Sequence, residues 1–462
     1  MNAQKNQTGS LNTAWERLAA TLVTLLCLMG AAIWNGYPIV YSDSSSYLVS
    51  GFNLETLIDR PITYGLFIRV TSLNGWSLWT VIMVQSLLLA YVAGLTLKWL
   101  GQANAWYRTF IIGGTALLTG LPFLCGQLIT DVFTPILVLT LFLLLFAHDL
   151  PTRTRAILFG LFLLAFAMHM SHVSITVLML GTAWLIRRMA PQAPTPLLFW
   201  RTTGIITLLA VVGILIMGVS LAKSKYSFYA AHLAEIGVLQ QYLEEHCATE
   251  NLIICNHSGS IPHSADAFLW AEDSPLHLYE GRQEMEAELG RITRNSLLEP
   301  ALLWIQLKSA ARASLLQLAH FKVGDGNGSF GHETLLHQRV EALIPSEIGA
   351  FDNTRQMQGT SFQQPLTTWN RMLNAIMVLA LVGLLAAWWR HGRLLREAGQ
   401  MRKATLFLVA AVVINATMNA SLVMVADRFG AKLAWLIPFL CITTWMYTLR
   451  GRAQASRCDE QA

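Results

Sequence analysis

The sequence has few charged residues for its length. Only 13% of its 462 residues are Asp, Glu, Lys or Arg, whereas 54% are hydrophobic, and soluble domains carry about 25% charged residues. The mean hydropathy of +0.46 agrees with this shortage. The composition excludes an ordinary soluble protein and predicts a polytopic membrane protein. The net charge of +5 does not indicate nucleic-acid binding, because the basic residues lie in short clusters between apolar runs.

Cysteine is scarce, and the common metal-binding spacings are missing. Six cysteines occur without a CxxC pair or the Cys and His spacing of a zinc site. Cys247 and Cys255 fall together in a long polar region and are candidate disulfide partners if that region faces an oxidising compartment. The alternative is two unrelated thiols. Asp325 and Asn327 alternate as calcium ligands do, but no downstream Glu completes that loop, so no metal site is predicted.

Long apolar runs account for most of the chain. A membrane-crossing helix needs about 20 apolar residues, and the first run lacks a signal-peptidase pattern, so we expect it to be retained. The run at 156–186 is too long for one crossing and predicts a hairpin that turns near residues 169–172. The other predicted crossings are 18–40, 78–99, 108–128, 130–148, 200–222, 372–390, 404–425 and 430–449. The total is about ten transmembrane helices.

The clusters of Lys and Arg between these runs agree on one side of the membrane. By the positive-inside rule, they predict a multi-pass protein of a bacterial inner (plasma) membrane with both termini cytoplasmic. The expected fold is an all-α polytopic membrane protein with short interfacial helices in the first outer loop, 41–77. Its parts are an N-terminal membrane domain at 1–222, a mainly helical periplasmic region at 223–371, and C-terminal membrane helices with a short cytoplasmic tail at 372–462.

Residues able to carry chemistry gather on the predicted outer side. Asp43 opens a hydroxyl-rich stretch at the membrane surface, where an ionisable residue is a functional-site candidate; a solvated loop is the alternative. A carboxylate can act as general base towards a sugar hydroxyl, and arginine binds phosphate through a planar fork. Chemistry on a lipid-linked phosphate sugar is therefore predicted. The other members of this set are Asp59, Arg60, Asp131, His169, His172, Asp427 and Arg428.

Several of these residues also have a purely structural interpretation. Asp131 precedes an apolar segment and is a candidate helix cap. His169 and His172 are three residues apart, which fits one helix face and equally a polar turn. Asp427 and Arg428 are candidates for a local surface pair of little energetic value. Both kinds of interpretation stay open at the level of sequence.

The order of these motifs resembles the C-type fold of integral-membrane glycosyltransferases, the bacterial dolichyl-phosphate-mannose mannosyltransferase-like superfamily that uses polyprenyl-phosphate sugars. Arg60-Pro-Ile-Thr-Tyr64-Gly65 is similar to the Arg-Pro-Pro-x-Tyr-Pro stretch of these enzymes. Ser44 stands where many members have a second acid, and Gly65 replaces a proline. The other matching elements are Asp43-Ser-Ser-Ser-Tyr47, Leu121-Pro122 before Thr130-Asp131, and Asp427-Arg428-Phe429 followed by Pro438.

This resemblance implies transfer of a hexosyl or pentosyl group from a polyprenyl-phosphate donor to a lipid or glycan acceptor of the cell envelope, on the periplasmic side. It implies Asp43 as catalytic base or metal-linked residue. The residues expected to bind substrate are Tyr47, Arg60, Tyr64, Asp131, His169, His172 and Arg428. No cofactor is assigned, and a divalent ion, magnesium or manganese, is left open.

The expected partners are the lipid bilayer, the lipid-linked donor and the acceptor, with no nucleic acid. Two other classes of function are retained, a non-catalytic membrane scaffold and a transporter of a lipid or small solute. Ion-coupled transporters usually carry polar or ionisable groups at mid-span. The sequence places no acid or base deep in a predicted span, which counts against ion-coupled transport.

Overall fold

The computed structural model describes residues 2–57, 60–189, 197–221, 225–278 and 282–459. Within these ranges the chain is all-α, as predicted, and no strand is formed. A single parallel bridge joins Ile39 to Gln127. The sequence favoured a short strand at 251–254, and this was wrong, because a 3-10 helix begins at Ile253 and runs to Ser260.

The first eleven helices form the N-terminal half of the fold. They are α1 (Asn2–Leu28), α2 (Gly30–Asn35), α3 (Ser42–Asn53), α4 (Thr63–Thr71), α5 (Leu78–Trp99), α6 (Ala105–Leu118), α7 (Leu121–Gly126), α8 (Phe133–Phe146), α9 (Thr152–Met168), α10 (Ser171–Arg188) and α11 (Leu197–Leu221). A 3-10 turn, Thr130–Val132, leads directly into α8. The predicted short helices of the first outer loop are α3 and α4; Asp59, between them, lies outside the described residues.

The remaining helices follow the same chain order. They are α12 (Lys225–Glu235), α13 (Val238–His246), α14 (Ala265–Trp270), α15 (Pro275–Leu278), α16 (Arg282–Leu298), α17 (Pro300–Gln317), α18 (Leu335–Leu343), α19 (Ile348–Asp352), α20 (Thr360–Glu397), α21 (Gly399–Leu422), α22 (Asp427–Ala434) and α23 (Leu436–Asp459). Another 3-10 turn, Pro345–Glu347, precedes α19. The predicted single helix at 230–246 is divided at Gly237, whose φ of 77° interrupts helical geometry.

Four helical segments among the described residues are long and apolar enough to cross a membrane. They are α5, α20, α21 and the run Asp427–Arg450 formed by α22 and α23. The stretches Thr130–Phe146 and Leu197–Gly213 are apolar but shorter. These helices agree with a membrane protein, whereas the count of ten crossings is not confirmed. The overlong run at 156–186 does divide at His169 and Met170, between α9 and α10, as predicted.

Helix α8 lies at the centre of the largest hydrophobic cluster. All fourteen of its residues are buried, and α5, α9, α10, α11 and α21 pack around it. A helix that is apolar on every face is stable only inside a protein or a membrane. Asp131 precedes α8 by two residues, so the packing of α8 draws this carboxylate into the interior.

Helices α3 and α4 are held together by two glycines. A Cβ atom at Gly51 would collide with the backbone of Gly65, and one at Gly65 would lie 2.6 Å from the Gly51 nitrogen. Only glycine allows this backbone-to-backbone approach. The contact explains why glycine stands at position 65, and it fixes α3, the helix of Asp43, against α4.

The region 223–371 contains two differently packed parts. Residues from 230 to 302 form a hydrophobic cluster of their own, in which a disulfide joins Cys247 to Cys255. Helices α18 and α19, by contrast, contribute Leu336 and Phe351 to the main cluster. Further along, the Gln356 amide exchanges two hydrogen bonds with the Val40 backbone, at 3.1 and 2.8 Å. The second part therefore packs directly on the first outer loop.

Candidate functional site

Arg428 joins two carboxylates that are far apart in the sequence. It is the second residue of α22, and its Nε donates to Asp131 Oδ2 at 2.8 Å. Its Nη1 donates to Asp43 Oδ2 at 3.2 Å. The planar guanidinium can serve two acceptors with separate N–H groups. The structure thus brings together three residues that the sequence analysis selected from different loops.

Lys432 is a member of this site that the sequence analysis missed. Its Nζ lies 3.0 Å from Asp131 Oδ1, and both side chains are only 2% exposed. Lys432 follows Arg428 by four residues in α22, so the two cations occupy one helix face. That spacing was the available signal. Lys432 is the sixth residue of the span candidate Asp427–Arg450 and so lies near its beginning.

Arg60 supplies a second guanidinium to Asp43. Its Nη1 is 3.1 Å from Asp43 Oδ1, and its guanidinium carbon lies 5.3 Å from the centre of the Tyr47 ring. Asp43 itself is in the first turn of α3, where the helix dipole stabilises a negative charge. Each oxygen of Asp43 therefore faces one arginine, and the carboxylate is about one quarter exposed.

Two tyrosines place aromatic faces against these arginines. The Arg428 guanidinium lies 4.4 Å from the Tyr41 ring centre. The Arg60 guanidinium lies over the Tyr47 ring at the longer distance of 5.3 Å. Burial is the largest cause that raises the pKa of Tyr41 and of Tyr47 above the ordinary value, and the neighbouring arginines oppose it. Both phenols keep their protons at neutral pH. They stabilise the cations through their rings and do not add negative charge.

A small cleft opens beside Arg428 and Asp131. Asp325 contributes to its rim, where its Oδ2 accepts a hydrogen bond from the Arg428 backbone N–H at 3.2 Å. Lys322 also lines the rim. The remaining lining residues are Tyr41, Gly120, Phe123, Leu124, Gln127, Val323, Gly324 and Ala431.

A small, mainly apolar groove adjoins this polar cleft. The two cavities share Gly120 and Ala431 in their walls. Charged side chains and hydrophobic ones therefore line two neighbouring cavities. The other residues of the groove are Leu118, Thr119, Phe321, Leu373, Ile376, Met377, Ala434, Trp435 and Pro438.

Only two of the residues expected to bind substrate, Asp131 and Arg428, line the cleft. The expected base Asp43 does not line it, and neither do Tyr47, Arg60, Tyr64, His169 and His172. The Tyr64 hydroxyl, fully buried, donates to Gln85 Oε1 at 3.3 Å. His172 hydrogen-bonds through Nδ1 to the Ala165 carbonyl and through Nε2 to the Thr134 hydroxyl. His169 Nδ1 forms hydrogen bonds with the backbone N–H and the hydroxyl group of Ser171, the first residue of α10. These side chains organise the packing beneath the site. All three stay within electrostatic range of Asp131.

The local pair of Asp427 with Arg428 is not formed. Asp427 Oδ1 accepts the Lys322 backbone N–H at 3.0 Å, and Arg428 turns to the other two carboxylates. A magnesium or manganese ion prefers several oxygen ligands. Asp43 and Asp131 are instead engaged by Arg60, Arg428 and Lys432. The donor set therefore does not fit a divalent ion at Asp43.

The cluster carries an excess of positive charge. Three cations, Arg60, Arg428 and Lys432, face two carboxylates, Asp43 and Asp131. An excess of buried or partly buried cations over acids suits an anionic ligand such as a phosphate. No protein-family model, curated protein or solved structure matches the chain.

Proposed function

We propose that the protein is a membrane glycosyltransferase that moves a sugar from a polyprenyl-phosphate donor to a lipid or glycan acceptor of the cell envelope. The observation that carries the proposal is the adjacency of the cleft at Arg428 and the apolar groove, which have Gly120 and Ala431 in common in their walls. A donor of this class has a charged phosphate joined to a hydrocarbon chain. The two cavities offer matching environments side by side.

In this proposal the donor phosphate is bound by Arg60 and Arg428. Their guanidinium groups converge on Asp43 from two sides, and a guanidinium group is a strong hydrogen-bond donor to phosphate oxygens. Lys432 is buried and forms an ion pair with Asp131. It acts as a positioning residue, since it holds the carboxylate that in turn orients the Arg428 fork.

The proposed chemical step uses Asp43 as general base. An acceptor hydroxyl attacks the anomeric carbon of the donor sugar, the bond from that carbon to the phosphate oxygen breaks, and the hydroxyl proton passes to Asp43. Polyprenyl phosphate leaves with the bonding electron pair. The developing negative charge is stabilised by the two arginines, and a positioned base of this kind contributes about 10²–10⁴-fold to the rate.

The direct test is sugar transfer by the purified, full-length protein in lipid nanodiscs. Polyprenyl-phosphate sugars labelled in the sugar are supplied with lipid extracts as acceptors, and released polyprenyl phosphate is measured. Asp43→Asn removes the base while keeping the shape of the side chain, and we expect at least a 10²-fold loss of rate. Asp266→Asn, an exposed change in α14, is the matched control and is expected to behave as wild type.

A second test separates the groove from the polar cleft. Ile376→Trp narrows a wall that belongs to the groove alone. We expect it to weaken the use of long-chain donors and to spare a donor with a short, water-soluble chain. Equal effects on both donors, or full activity of Asp43→Asn, would contradict the proposal.

Ion-coupled transport is the second candidate, and one observation favours it. Asp131, at the start of the shorter apolar stretch Thr130–Phe146, forms a buried ion pair with Lys432 of the span candidate Asp427–Arg450, and such ionisable residues often mark ion pathways. Proteoliposomes with a pH-sensitive dye in the lumen discriminate the two. A transporter moves protons or ions when its solute is added and releases no polyprenyl phosphate. The transferase releases polyprenyl phosphate and moves no protons or ions.

A further inference from the structure

A cluster of metal-ligating side chains lies apart from the cleft, on α18, α19 and the turn before α18. It consists of His332, His337 and Asp352. One ligand atom from each lies within 4.8 Å of the others. None of the three lines the cleft or the groove.

Two of the ligands are already held in place by the fold. His337 Nε2 is 2.9 Å from Asp352 Oδ1, and the His337 side chain is only 3% exposed. The Thr334 hydroxyl accepts the backbone N–H of His337 and so starts α18 at a defined residue. The Phe351 ring packs 5.8 Å from the His337 ring. Such packing restricts both side chains to the geometry that a metal ion needs.

The third ligand is placed to complete the site. His332 is exposed, and its ring centre lies 4.1 Å from that of His337. Zinc–ligand bonds of about 2.0–2.1 Å place neighbouring tetrahedral donors about 3.3 Å apart. The pair His337–Asp352 is close to this spacing. An exposed His332 can rotate to shorten its own distances without disturbing the core.

The chemistry of the donors selects the ion. Two imidazoles and one carboxylate are typical of three-ligand zinc sites that leave a fourth position for water, whereas magnesium and calcium prefer oxygen. The other ring nitrogen of His337 is buried and makes no hydrogen bond with the described residues. The ring is therefore not held in a competing orientation by a second polar partner.

We propose that His332, His337 and Asp352 bind a zinc ion that joins α18 to α19. The ion replaces the hydrogen bond between His337 and Asp352 with two coordinate bonds. Because α18 packs against α3, the helix of Asp43, the ion holds this segment on the first outer loop. The site does not depend on the sugar-transfer proposal, since it shares no residue with the cleft.

The test uses the full-length protein, purified without a polyhistidine tag and equilibrated with buffered zinc. Elemental analysis is expected to find about one zinc per chain, and cobalt in its place is expected to give the visible absorption of a tetrahedral site. His332→Ala and Asp352→Asn alter exposed or half-exposed side chains, so these variants should fold. Each is expected to lower zinc affinity at least tenfold.

Two control variants make the result decisive. His320→Ala changes a half-buried histidine outside the cluster and should keep the zinc. His246→Ala removes the histidine of a separate group with Glu245 and Glu299. Loss of zinc in His246→Ala with retention in His332→Ala would overturn the proposal. A wild-type protein that binds no more zinc than the double variant His332→Ala/Asp352→Asn would overturn it as well.

Discussion

Asp131 and Lys432 form an ion pair whose oxygen and nitrogen atoms are 3.0 Å apart, and both side chains are almost completely buried. Removing one partner of a buried pair leaves an uncompensated charge, which destabilises a protein by about 3–5 kcal/mol. Removing both can be much less damaging. The pair therefore makes a sharp prediction about the stability of the site.

Asp131→Asn leaves Lys432 buried without its carboxylate and is expected to lower the free energy of unfolding by about 3–5 kcal/mol. Lys432→Met is expected to cost less, because Asp131 keeps its ion pair with Arg428. The double variant Asp131→Asn/Lys432→Met is expected to lose less than the sum of the single changes, by about 0.5–3 kcal/mol. SDS titration in mixed micelles measures these values. Lys308→Met, an exposed change on α17, is the control. Strict additivity would show that the two residues do not interact.

The contact between Gly51 and Gly65 predicts a steric effect. Gly65→Ala places a methyl group against backbone atoms, and overpacking of this kind typically destabilises by about 1–3 kcal/mol. Gly160→Ala, in α9 with nothing near its Cβ position, is the matched control. It should be neutral or stabilise by up to about 1 kcal/mol. The same titration separates the two outcomes, and similar stabilities would refute the close approach.

A substitution at Arg60 is expected to impair substrate binding and not folding. Arg60→Lys keeps the charge but loses the planar fork and its stacking on Tyr47. We expect the KM for the lipid-linked donor to rise about tenfold, or about 1.4 kcal/mol, with little change in thermal stability. Arg371→Lys, an exposed change in α20, should leave the KM unaltered. An equal rise in both variants would point to a general charge effect.

The disulfide between Cys247 and Cys255 predicts a local gain in stability. It closes a loop with a sequence separation of 8 residues, for which the chain-entropy relation gives about 2.5 kcal/mol. The double variant Cys247→Ser/Cys255→Ser should unfold the 230–302 part more readily, as measured by hydrogen exchange of α13. Alkylation of unreduced protein, followed by mass spectrometry, should leave these two thiols unmodified. Labelling of both would exclude the bond.

The local features of the fold were accessible from the sequence because they depend on neighbouring residues. The hairpin in 156–186 follows from a run that exceeds the thickness of a bilayer, and the short helices of the first outer loop follow from apolar spacing. The break at Gly237 and the 3-10 helix at Ile253 were missed. Single residues with unusual backbone angles change such elements without altering the apolar pattern.

By itself, the sequence determined that Asp43, Arg60, Asp131 and Arg428 belong together, because loops on one predicted side of a membrane share a surface. Only the tertiary structure decided how they meet. It pairs Lys432 with Asp131, and it directs the side chains of Tyr64 and His172 into the protein interior, where they form buried hydrogen bonds. Burial and pairing depend on helices that contact each other across hundreds of residues, and no local pattern encodes such contacts.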